Sequence, residues 1–190
     1  MENGNFMRRK EYFEGNAIGH KNVVARQPKQ LFPQETDWTC SVACLRTMLS
    51  GLVREVPGEE ELVEKYGLTP GPWYSQDIKK LGMLEDYDAI YGCDCRDTDF
   101  DRILNYMEDG YYVMVESMYN YAHWMVLLGY YPLEQANVEK SRLLVYDPWF
   151  DQVRLLIADE FLSMWVDGEC TKNNIRHDFI AIRKKFFLDN

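Results

Sequence analysis

Past Gly110 the apolar residues of this chain change period, and that switch limits the fold more than any other feature. Tyr111–Met118, His123–Tyr131, Arg142–Tyr146 and Gln152–Leu156 are aromatic or β-branched runs of strand length. A short helix is predicted at Asp159–Val166 and a closing strand at Asp178–Arg183. Before the switch the spacing is helical. One helix starts at Cys40 and stops near Gly51, a natural C-cap, with Thr39 or Asp37 available at its start. EEELVEKYG follows Pro57–Gly58 with acids in its first turn and Gly67 as its stop. QDIKKLG is a short helix capped by Ser75, and Phe100, Ile103, Leu104 and Met107 mark a further one capped by Asp97 or Thr98. Val23–Val24–Ala25 reads as a short strand. Helices first and strands second is an α+β order, in which a helical layer packs on an antiparallel sheet.

The 190 residues suffice for one domain with its own core. Residues 1–20 are polar and lack a sustained period, so they read as a flexible arm and 21–190 as the single domain. The formal net charge of −10 excludes nucleic acid and anionic membrane surfaces as partners, since both require basic patches. Nowhere does an apolar run approach the roughly 18 residues of a membrane span, so no integral membrane segment is expected. Five cysteines without a signal-peptide pattern fit a reducing, cytoplasmic setting better than a secreted disulfide framework. Oligomeric state is not legible.

Cys40 lies in the first turn of its helix, where unpaired backbone N–H groups and the positive end of the helix dipole favour thiolate, the nucleophilic form. Gln34, six positions earlier, can offer an amide N–H to a developing oxyanion. A base is then required. Of the three histidines, His20 lies in the arm and His177 precedes the last strand, whereas His123 opens the apolar strand HWMVLLGYY. The next strand ends at Asp147, where Pro148 forces the chain out of the ladder. If these two strands form a hairpin, His123 and Asp147 share its open end. The carboxylate can then orient the imidazole and favour its charged form. Trp73, Tyr74, Trp124 and Trp149 are the candidate substrate-binding aromatics. Cys93 and Cys95 are spaced C-x-C with no second matched pair, so no metal site is expected, and no cofactor either.

Gln34, Cys40 and Ala43, with Asp37 nearby, then His123 to Tyr130 (HWMVLLGY) and Val145 to Pro148 (VYDP), resemble three blocks of the papain-like cysteine peptidases. The closer likeness is to the bacteriocin-processing peptidases that cut after double-glycine leaders. The resemblance spans about residues 22–185. It implies a papain-like fold and a cysteine peptidase in which Cys40 is nucleophile, His123 general base, Asp147 its orienter and Gln34 the oxyanion-hole donor. A peptide or protein is then the substrate. The same groups with another acceptor make an acyltransferase, and without chemistry a peptide-binding module. Ser41 replaces the glycine that usually follows the family's cysteine, and PLEQANVEK lengthens the hairpin turn; both bear on specificity. The transporter to which the family is usually joined has no counterpart here, so a stand-alone member is expected.

Overall fold

The computed structural model describes residues 6–8, 24–95, 98–118, 122–131, 141–165 and 177–185. Within them an antiparallel sheet is built from β1 (Phe6–Arg8), β2 (Val24–Ala25), β3 (Tyr87–Tyr91), β4 (Tyr112–Ser117), β5 (His123–Tyr131), β6 (Arg142–Asp147), β7 (Gln152–Ile157) and β8 (Phe179–Lys184). Its order is β1-β7-β6-β5-β4-β8-β3, and β2 pairs with β5 at Tyr130 and Gly129. The helices are α1 (Cys40–Ser50), α2 (Glu59–Tyr66), α3 (Ser75–Lys80), α4 (Phe100–Glu108) and α5 (Ala158–Met164). The α+β class is therefore as read, although β3 falls between α3 and α4 rather than after the helices.

The central strands carry apolar residues at nearly every position because the sheet is covered on both faces. On one face Trp124, Val126 and Leu128 of β5 meet Leu45, Met48 and Leu49 of α1. On the other, Met125 and Leu127 join Ile103 and Met107 of α4 and Phe161 of α5. The expected single helical layer is thus one of two.

Ser41 through Ser50 of α1 are all buried, its polar residues included. Those polar residues are used. Thr47 Oγ1 accepts from Phe32 N at 3.0 Å, and Ser50 Oγ accepts from Gln30 N at 3.0 Å. A stripe of hydroxyls thereby holds the extended approach to Gln34 against the helix that starts at Cys40.

Several local expectations change. Thr39 occupies the N-cap of α1 without a side-chain cap bond; its hydroxyl turns back to Thr36. Ser75 is the first residue of α3 rather than its cap, and Asp77 Oδ2 accepts from Tyr74 N at 3.2 Å instead. Asp99 caps α4, accepting from Arg102 N at 2.9 Å, while Asp97 lies outside the described residues. Strand β3 was not predicted. Within residues 1–20, read as a loose arm, Phe6–Arg8 pair with β7, and the others lie outside the described residues. So do PLEQANVEK, His20 and Cys170.

Gly51 does close α1, but in the right-handed region with φ −76°, not the left-handed cap conformation. Its absent side chain is what matters, since a Cβ there would lie 2.2 Å from Cζ of Tyr112. Gly51→Ala is expected to destabilise the fold by about 1–3 kcal/mol through overpacking, read from urea unfolding. An unchanged midpoint would show that the ring moves aside without cost.

Candidate active site

Cys40 is the first residue of α1 and half-buried, because the sequence gives the helix no turn before it. His123 is the first residue of β5, and Asp147 the last of β6. The two strands pair with Val126 opposite Tyr146, so Asp147 stands diagonally across from His123 at the open end of the hairpin. His123 Nε2 is 2.9 Å from Asp147 Oδ1. That bond uses one ring nitrogen, and the ring also hydrogen-bonds Cys40, which leaves Nδ1 as the nitrogen for the thiol. Burial pulls the imidazole down, but the hydrogen bonds and charges of Asp147 and Cys40 prevail and push it up to about 9.

Asp147 is itself held. Its side chain is buried, and Oδ1 also accepts from Trp149 N at 3.1 Å, while Arg154 Nη1 donates to Oδ2 at 2.7 Å. Burial raises the carboxyl, yet His123 and Arg154 outweigh it and keep Asp147 below the usual carboxylate range. Arg154 was not anticipated. A signal existed, since the tight turn after Pro148 pairs Asp147 with Gln152 and sets Arg154 opposite Val145. Asp147 and Arg154 are then diagonal neighbours on one face of the sheet.

Gln34 reaches the same end of the sheet. Its backbone N–H donates to Pro148 O at 3.1 Å, next to Asp147. Its Nε2 donates to Thr36 O at 2.7 Å. An amide nitrogen carries two N–H groups, so this bond fixes the side chain with a second donor in hand.

The four aromatics separate. Trp149 is 43% exposed, and the neighbouring Phe150 56%. Trp73 and Tyr74 are half-buried on the loop before α3. Trp124 is corrected: it is 2% exposed and belongs to the core, because its place in β5 turns it under α1. Its Nε1 donates to Trp73 O at 2.7 Å, so it supports that loop from below. His177 stacks on Trp165 with ring centroids 4.6 Å apart, and its Nδ1 is 2.7 Å from Thr98 O. It is a packing residue.

The remaining thiols differ in kind. Burial, then the charges of Cys40 and Asp147, push the Cys44 thiol well above its ordinary range. Burial also raises Cys93. Among the described residues no group of three or more His, Cys, Asp or Glu side chains is arranged to hold a metal ion. Nor is any described helix long and apolar enough to cross a membrane. No protein-family model matches the chain and no curated protein matches its sequence.

Proposed function

We propose that this chain is a cysteine peptidase of papain-like fold that hydrolyses a peptide bond in a peptide or protein substrate. The observation that carries the reading is the line from Cys40 at a helix start, through His123, to a buried Asp147 at 2.9 Å. An imidazole pushed up to about 9 is largely protonated at neutral pH, and an imidazolium beside a thiol favours thiolate. The Cys40 thiolate attacks the substrate carbonyl carbon, and the carbonyl π electrons move to oxygen. Gln34 and the Cys40 backbone N–H stabilise that oxyanion. Collapse breaks the C–N bond as His123 gives its proton to the leaving amine, and a thioester remains. Neutral His123 then takes a proton from water, whose oxygen attacks the thioester, and the thiolate leaves. Asp147 stays charged throughout and holds the ring. Trp73, Tyr74 and Trp149 are the aromatics that this reading assigns to substrate binding.

The test is selective alkylation. With iodoacetamide at pH 6, Cys40 is expected to react about 10-fold or more faster than free glutathione in the same solution, located by mass mapping of the labelled peptides. Equal, slow labelling of both would remove the activated nucleophile and the proposal with it.

A further inference from the structure

We propose that Glu59, together with Arg46, is a positioning residue that holds the Gln34 loop in register with Cys40 for oxyanion binding. This rests on the reading of Cys40 as nucleophile and Gln34 as oxyanion donor. The five residues between them form a loop that enters α1, and a loop of that kind has no ladder to fix it. Gln34, just before it, is tied to Pro148. Its first residue is tied to α2, where Glu59 Oε1 accepts from Glu35 N at 3.0 Å. Arg46, two turns along the nucleophile's own helix, donates from Nη1 to Glu35 Oε1 at 2.9 Å and from Nε to Pro57 O at 3.0 Å. The same Nη1 lies 3.9 Å from Glu59 Oε2. Two helices, α1 and α2, therefore meet on Glu35, the loop residue adjacent to Gln34.

A purely structural role would suit this cluster poorly. Glu59 is 3% exposed, and burial raises its carboxyl above the usual range although hydrogen bonds from the Thr39 side chain and the Glu35 backbone pull it down. A buried ion pair adds little stability over apolar side chains of the same size, but it fixes geometry well. The geometry it fixes is that of the backbone N–H beside the oxyanion donor. The hydroxyl stripe of Thr47 and Ser50 continues the same arrangement back along residues 30–32.

The test compares two reagents at Cys40. Iodoacetamide is attacked at a saturated carbon, so no oxyanion forms. Acylation by p-nitrophenyl acetate passes through a tetrahedral oxyanion before the C–O bond breaks and p-nitrophenolate leaves. Glu59→Leu is expected to slow acylation by about 10–100-fold and leave alkylation within about twofold, because only the donor's position is disturbed. Glu59→Gln keeps an acceptor for Glu35 N–H and is expected to stay within about threefold of wild type in both reactions. Where Glu59→Leu does not fold, Glu35→Ala decides. Its side chain is 57% exposed, so the fold tolerates its loss. It removes the Arg46 contact and is expected to slow acylation selectively by about 2–5-fold. Unchanged acylation in the folded variant, or acylation and alkylation falling together, would overturn the proposal. Failure of the underlying reading shows separately, as wild-type Cys40 no more reactive than free glutathione toward either reagent.

Discussion

His123→Ala is expected to slow acylation of Cys40 by p-nitrophenyl acetate by about 10²–10⁴-fold, the range for loss of a general acid–base group. Alkylation by iodoacetamide at pH 6 is expected to slow as well, since no imidazolium remains beside the thiol. This double loss separates His123 from Glu59, whose replacement should affect acylation alone. The ring pairs with the buried Asp147 and also bonds Cys40, so its removal takes away the proton carrier and the charge partner together. Stopped-flow release of p-nitrophenolate and mass-mapped alkylation measure the two rates. Alkylation at wild-type speed in this variant would sink the role assigned to His123.

Asp147→Asn is expected to reduce acylation by a similar 10²–10⁴-fold, because an amide cannot stabilise the imidazolium and can present its N–H to Nε2. It should also change how stability depends on pH. His123 is raised to about 9 from an unfolded value near 6.5, so the stability it contributes is fully present below about pH 6.5 and is lost as pH rises through 9. Asp147 is lowered, so its contribution is present above about pH 3.9 and is lost as pH falls through its folded value. In Asp147→Asn the decline between pH 6.5 and 9 should flatten, because the ring loses its main partner. Urea unfolding at pH 5, 6.5 and 9 tests this, and parallel pH curves for the two proteins would contradict the assignment. Arg154 then stands beside a neutral amide and loses its carboxylate contact at 2.7 Å.

How much of this was legible differs by element. The hairpin that brings His123 and Asp147 together could be read from two apolar runs and a proline, because a strand's end is marked by what cannot continue the ladder. Strand β3 escaped notice. Tyr87–Tyr91 sits at the sheet edge with mostly half-buried residues, which leaves no clear alternation to read. Trp124 was read as a groove residue because exposure has no local signature in a strand covered on both faces. Gly51 was placed correctly for a reason that does not hold, since Tyr112 reaches it from 61 residues along the chain.

The linear chain by itself determined the α+β class, the helices and central strands, and the local setting of each reactive group. Cys40 had to open a helix, His123 a strand, and Asp147 to precede a proline, because periodicity and backbone constraints are written within a few residues of each position. Only the tertiary structure decided what stands behind those groups. Arg154 meets Asp147 across the β6–β7 pair, and Glu59 meets Glu35 across 24 positions. Such contacts depend on strand register and on how α2 packs against α1. Both bury charge: the tight turn after Pro148 signals the first, seven positions apart, whereas no local pattern encodes the second.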